Sequence, residues 1–297
     1  MTLRLKAPAK INLVLEVLGK RPDGFHQLAS VVHGVGLYDE LEIRAAARLT
    51  VRFDGAEIHP NDDLITRAAE RLGQNGSLER GAEIVCRKRI PLASGLGGGS
   101  SNAAATLIGL RRLWATRTTE TEMGRLAAEL GSDVPMFLAH GAALIQGRGD
   151  LVTLLPPLRR RWAVIVLGAA RFANKTALLF ARLSPADFSD GARAALVVRA
   201  MSHGELPQDD LLVNAFEPAA RATYPGLAEM QDGLSARSGT RFHLSGAGPT
   251  LFALCADRQM AVSVQASISD LTTQALVVPL VASRPRLTRH ANCERDE

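Results

Sequence analysis

Four of the five residues Gly95-Leu96-Gly97-Gly98-Gly99 are glycine, and Ser100 and Ser101 follow them. No other segment restricts the fold as much. Glycine has no Cβ, so such a run turns sharply and lets a ligand approach the backbone closely. Upstream, Ile84, Val85 and Ile90 read as a strand stopped by Pro91. Downstream, Ala103, Leu107, Leu110 and Trp114 fall on one face of a helix. A glycine loop that opens a helix presents free N–H groups where the macrodipole favours negative charge. The hydroxyls of Ser100 and Ser101 add donors, so the segment Pro91-Leu92-Ala93-Ser94-Gly95-Leu96-Gly97-Gly98-Gly99-Ser100-Ser101 reads as a cradle for phosphates. A Walker loop requires a lysine after the glycines, and none is present. A dinucleotide fingerprint requires a third glycine where Ser100 stands, and an acid at a strand end; Glu120 and Glu122 lie at a helix start instead. A ligand-free loop is the remaining alternative, and the strand and helix on either side weigh against it.

Around this loop the chain mixes strands and helices without a regular βαβ rhythm, which predicts an α+β fold. Leu3, Leu5 and Ala7, then Ile11, Leu13, Leu15 and Val17 past Pro8, alternate as strands do, and Gly19 to Gly24 reads as a turn. Thr119 and Glu122 have capping-box spacing ahead of the apolar face Met123, Leu126, Ala127 and Leu130, with Gly131 as the C-terminal cap. Ser132 then caps a short helix that begins at Asp133 and Pro135. Pro156-Pro157, with the arginines after it, marks a junction between domains 1–155 and 156–297. Strands are expected at Trp162–Leu167, Arg241–Leu244 and Thr250–Leu254, and a charged, frayed tail from Arg284.

The net charge of +5 raises nucleic acid as a partner. The basic residues are scattered outside Arg87-Lys88-Arg89 and Arg159-Arg160-Arg161, and only 4% of residues are aromatic, which leaves few stacking platforms. The expectation is therefore no nucleic acid, and an anionic small molecule instead. Cys86, Cys255 and Cys293 form no metal or disulfide pattern. Apolar stretches are too short to span a bilayer and the N-terminus carries Arg4, Lys6 and Lys10, so no membrane association is expected and the cytoplasm is the expected location.

The glycine segment resembles the phosphate loop of the GHMP kinases, P-x-x-x-G-L-G-x-S-S-A. Its longer form, G-L-G-G-G-S-S-N-A-A, is similar to the branch of that family whose substrate is 4-diphosphocytidyl-2-C-methyl-D-erythritol. This resemblance implies a two-domain fold, with an N-terminal ribosomal-protein-S5-like ATP-binding domain and a C-terminal ferredoxin-like α/β sandwich. It implies that Pro91 to Ser101 bind ATP, with Mg²⁺ held mainly by ATP and touched by Ser100 or Ser101.

Three further blocks carry the resemblance. In Pro8-Ala9-Lys10-Ile11-Asn12-Leu13, Lys10 and Asn12 share a strand face. Alone, Lys10 reads as a solvent-facing lysine; the resemblance puts both residues at the phosphoryl-transfer site. Arg21-Pro22-Asp23-Gly24-Phe25-His26 alone is a surface turn; the resemblance makes Phe25 and His26 the holders of a cytosine ring. Asp133 alone is a helix cap; Gly131-Ser132-Asp133-Val134-Pro135 resembles the family's catalytic segment and implies a general base. Ser245 to Thr250 resembles a third family motif, and Gln146-Gly147-Arg148-Gly149 a family turn. Thr176 and Phe180 match substrate-facing positions, with Phe180 expected to sandwich cytosine against Phe25. Asp63 stands where an asparagine usually contacts adenine, and Ala170-Arg171 and Ala215 also depart from the pattern.

The resemblance thus implies an ATP-dependent kinase for a cytidine-diphosphate alcohol, while the sequence leaves monomer and homodimer both open. The alternatives are a kinase for another alcohol such as homoserine or mevalonate, a nucleic-acid-binding protein, or a relative without catalysis.

Overall fold

Thr2–Lys20 forms one long strand, β1, and the turn after it leads into the equally long β2, His26–Ala46. The two pair antiparallel along almost their whole length. Proline has no N–H to donate, and the register shifts by a bulge between Pro8 and Ala9, which lets β1 continue through it. In the first half of β1, Leu3 and Leu5 are buried while Thr2, Arg4 and Lys6 are exposed. From Ala7 to Val17 every residue is buried, because both faces are covered. The computed structural model describes residues 2–59, 63–75, 81–138, 142–168, 175–272, 274–282 and 284–288.

Next come β3 (Thr50–Asp54), α1 (Leu64–Asn75) and β4 (Gly81–Arg87). β4 ends three residues before the expected Ile90. α2 (Gly98–Leu113) starts inside the glycine run, with Gly97 as its N-cap in the left-handed region. α3 (Glu120–Leu130) opens on the Thr119–Glu122 capping box, in which the Glu122 N–H donates to Thr119 Oγ1 and the Thr119 N–H to Glu122 Oε2. Met123, Leu126, Ala127 and Leu130 are its buried face and Gly131 is its C-cap. α4 (Val134–Leu138) begins after Asp133, so Asp133 precedes that helix instead of lying in its first turn. These helices share one core with β1, β2 and β4, built from residues such as Leu5, Ile43, Ile84, Leu107 and Phe137.

β5 (Ala142–Gly147) pairs with β2, and β6 (Leu151–Leu155) with β5. Pro156 and Pro157 then lead to β7 (Trp162–Val166). The remaining elements are α5 (Lys175–Phe180), α6 (Ala192–Ser202), α7 (Glu217–Thr223), α8 (Leu227–Ser238), β8 (His243–Leu244), β9 (Leu251–Cys255), α9 (Arg258–Ser267), β10 (Ala275–Val281) and β11 (Arg286–Thr288). β10 pairs with β7 along one edge and with Val35 and Gly34 of β2 at its end. The sheet therefore runs across both halves in the order β11-β1-β2-β10-β7-β9-β8.

Buried His33 fastens this crossing. One ring nitrogen, Nδ1, bonds Gly34 O at 2.8 Å, and Nε2 accepts the Leu158 N–H at 2.9 Å. The tail expected to fray from Arg284 is partly ordered, because Arg286–Thr288 pairs with Lys6–Arg4 of β1 and gives that edge a partner. Ala170, Arg171 and Cys293 lie outside the described residues. Among the described residues no helix is long and apolar enough to cross a membrane.

Candidate active site

The glycine loop is held from three sides. Leu96 O accepts the Lys10 N–H at 2.9 Å, which stitches the loop to β1. At its entrance, fully buried Asp39 accepts from Lys88 Nζ, from the N–H groups of Arg89 and Ile90 at 2.7 and 2.8 Å, and from Asn102 Nδ2 at 3.0 Å. On the far side, Ser245 Oγ donates to Gly95 O at 3.3 Å. Gly97 has φ 71° and a Cβ there would press on Lys10 and Phe137, so glycine is required by both conformation and space.

The loop lines a cleft of about 1000 Å³ through Pro91 to Ser94 and Gly97 to Ser100. Two residues of the expected phosphate loop do not line this cleft. Leu96 is fully buried in the core, and Ser101, in the first turns of α2, is fully buried with no hydrogen-bond partner for its Oγ among the described residues. Asp63 caps α1, its Oδ1 accepting from the Ile65 and Thr66 N–H groups at 3.0 Å, and the neighbouring Leu64 and Ile65 line the cleft.

A second cleft of about 510 Å³ adjoins the first. At its floor Lys10 Nζ donates to Asn12 Oδ1 at 2.6 Å, Asn12 Nδ2 to Ser30 Oγ at 2.9 Å, and Ser30 Oγ to Val14 O at 2.8 Å. This chain of donors fixes the Lys10 side chain, which is only 4% exposed. Asp133 Oδ2 lies 3.8 Å from Lys10 Nζ, and its carboxylate is open to the cleft. Burial pushes the Lys10 pKa down, and Asp133 partly offsets this. The two residues, 123 positions apart, meet because the fold brings β1 and the turn before α4 to the same cleft.

His26 and Phe180 form the aromatic wall of this cleft. Their rings stack at 4.7 Å and 15°, and Phe216 meets Phe180 edge-on. Phe180 thus stacks on His26, whereas the expected sandwich pairs it with Phe25 across a bound cytosine. Phe25 stands 53% exposed at the rim, with the Arg148 guanidinium 5.3 Å above its ring. Thr176 lines both clefts.

Sequence reading missed four charged residues here. Lys175, at the start of α5, is buried and donates to Ala93 O of the glycine loop and Gly248 O of the 245–250 loop. Its i, i+4 partner Leu179 is the other buried residue of α5, and that spacing was the available signal. Lys88 continues the buried alternation Ala82, Ile84, Cys86, and its place in a basic run concealed this. Asp39 gave no sequence signal. Arg148 was read only as part of a turn. The 245–250 loop itself is braced by Asn214 Nδ2, which donates to Leu244 O and Gly246 O at 2.9 and 2.8 Å, and by Tyr224 OH, which donates to Ala247 O at 2.9 Å.

Comparison with known proteins agrees with this geometry. Residues 63–141 match the family described as GHMP kinases N terminal domain, and residues 192–271 that described as GHMP kinases C terminal. A 4-diphosphocytidyl-2-C-methyl-D-erythritol kinase of Dehalococcoides mccartyi is 37% identical over 277 residues, covering 93% of this chain and 97% of that one. A crystal structure of a 4-(cytidine 5'-diphospho)-2C-methyl-D-erythritol kinase superposes with a TM-score of 0.79 at 29% identity, covering 94% and 99% of the two chains. A homoserine kinase from Cytophaga hutchinsonii, at 18% identity, shares the fold with a TM-score of 0.72, covering 97% of each chain. The chain belongs to the GHMP kinases, in the family of the 4-diphosphocytidyl-2-C-methyl-D-erythritol kinases.

Proposed function

We propose that this protein transfers the γ-phosphoryl group of ATP to the 2-hydroxyl of 4-diphosphocytidyl-2-C-methyl-D-erythritol, a step of non-mevalonate isoprenoid synthesis. The observation that carries the reading is the Lys10–Asp133 pair, 3.8 Å apart in the aromatic cleft, with Lys10 against Gly97 of the glycine loop. The relatives named above support the substrate.

The loop N–H groups at the start of α2 receive the triphosphate. The acceptor hydroxyl lies beside Asp133, which takes its proton as the oxygen attacks the γ-phosphorus. The new O–P bond forms, the bond to the β,γ-bridging oxygen breaks, and ADP leaves. Lys10 orients Asp133 and offsets charge near the attacking oxygen, a role of positioning and electrostatics that suits phosphoryl transfer. The stacked His26 and Phe180 present a flat face for cytosine. Phe25, Asn12 and Thr176 complete the acceptor side, and Pro91 to Ser101 with Asp63 the nucleotide side.

The residues fit Mg²⁺ carried in with ATP. Buried Ser101 Oγ lacks a partner among the described residues, and Ser100 opens onto the cleft. Either hydroxyl would hold the ion, which would neutralise charge on the phosphates. The division into an ATP-binding part, 1–155, and a second part, 156–297, and a cytoplasmic location belong to the same proposal.

The test is ADP release with ATP, Mg²⁺ and the diphosphocytidyl alcohol, beside homoserine and mevalonate. Turnover of the first alone is expected, with a fall of about 100-fold or more in kcat for Asp133→Asn. No turnover by the parent, or an unchanged rate in the variant, overturns the reading.

A further inference from the structure

Among the described residues, six line both the glycine-loop cleft and the acceptor cleft: Phe25, Gly97, Lys175, Thr176, Ala177 and Phe180. A phosphoryl group that passes from one cleft to the other must pass this shared wall. Of these six, Lys175 alone is charged. Its ammonium has three N–H donors, and two are met by Ala93 O and Gly248 O, one from each loop that flanks the passage. Among the described residues no carboxylate lies within ion-pair reach of it.

A buried cation without a counter-ion is costly, and a pure strut between two carbonyls needs no charge. Lys10 lies near enough for the two cations to repel, and this, after burial, helps push the Lys175 pKa down to about 8. An anion between the two lysines would offset both costs.

We propose that Lys175 is a catalytic residue that meets the transferring phosphoryl group, its third N–H bonding a phosphoryl oxygen while the two loop carbonyls aim it. This rests on the kinase reading of the site. In the reaction Lys175 exchanges no proton; it offsets the charge on the equatorial oxygens as the bond to ADP breaks and the bond to the alcohol forms.

The test compares Lys175→Met and Lys175→Arg with the parent. Removing the charge is expected to lower kcat about 100-fold and to weaken ATP binding, while ADP affinity and the acceptor KM change by no more than about threefold. Lys175→Arg is expected to recover about tenfold of the lost kcat, because it keeps the charge. If kcat in Lys175→Met stays within about threefold of the parent, the proposal falls. Equal loss of ADP and ATP affinity together with the thermal midpoint also overturns it, since that is the mark of a strut. Should Lys175→Met not fold, calorimetry on the parent at pH 8, without the alcohol, decides: binding ATP is expected to take up about half a proton more than binding ADP. Equal uptake overturns the proposal. These binding measurements need no turnover, so failure of the kinase reading in the alcohol assay is seen separately.

Discussion

A Cβ placed on Gly95 would lie 2.3 Å from the carbonyl oxygen of Ser245, 150 residues away. The glycine at this position is therefore demanded by the second half of the chain as much as by any nucleotide. Its φ of +85° adds a further requirement. Gly95→Ala is expected to cost about 2–4 kcal/mol in unfolding free energy, from a left-handed backbone and a backbone collision together. The KM for ATP should rise at least about tenfold, because the loop moves off the 245–250 segment. Gly124 is the control: it lies within α3 with open space around its Cβ position, so Gly124→Ala should add about 0.5–1 kcal/mol. Urea unfolding and initial-rate kinetics read both; equal stability of Gly95→Ala and the parent would contradict the close approach.

The stack of His26 on Phe180 makes a second prediction. Burial and the nearby Lys20 lower the His26 pKa, which favours the neutral ring in the stack. His26→Ala should raise the acceptor KM about 10–100-fold through lost stacking and hydrogen bonding, with the KM for ATP nearly unchanged. Parallel rises in both constants would place His26 outside the cytosine side.

How far the sequence could lead is clear from particular residues. The Thr119–Glu122 capping box and the buried face of α3 are local, so spacing alone predicted them. Lys10 and Asn12 share a strand face by alternation, yet the approach of Asp133 comes only from the fold, which brings the turn before α4 to the cleft at β1. Asp133 and His26 were legible only by resemblance, since one reads as a cap and the other as a turn residue. Asp39 lies on β2 and Lys88 just past the end of β4, so their pairing shows only in the folded chain. The stack of His26 on Phe180 was not legible, because Phe25 and His26 are neighbours in sequence and only the folded chain shows which ring meets Phe180.

His33 predicts a pH dependence of stability. Its folded pKa is pushed down to about 4 by burial, against 6.5 when free. Between these values the unfolded chain binds a proton that the folded protein excludes. The contribution of His33 to stability is therefore present above pH 6.5 and lost as pH falls toward 4. Between pH 7 and pH 5 the loss is about 2 kcal/mol. His33→Phe should lose about 1–3 kcal/mol at pH 7, because the Leu158 N–H is left unpaired, and should lack this part of the acid slope. Denaturant unfolding of both proteins at the two pH values measures the difference; identical slopes would exclude His33 as the source.

Asp39 supplies the last prediction. Its carboxylate is fully buried and meets Lys88, Asn102 and two backbone N–H groups just before the glycine loop. Asp39→Ala leaves the Lys88 ammonium buried without its partner and two N–H donors unmet. Breaking a buried pair from one side costs about 3–5 kcal/mol, more than an exposed pair ever contributes. Asp39→Asn keeps the shape and one acceptor oxygen, so it should lose less than the alanine variant. The double variant Asp39→Asn with Lys88→Met removes both charges and should be more stable than Asp39→Ala. Because Lys88 lines the nucleotide cleft, the same series separates stability from binding. The ATP KM should rise with loss of Lys88 even where the fold is kept, and thermal midpoints measured beside kinetics resolve the two effects.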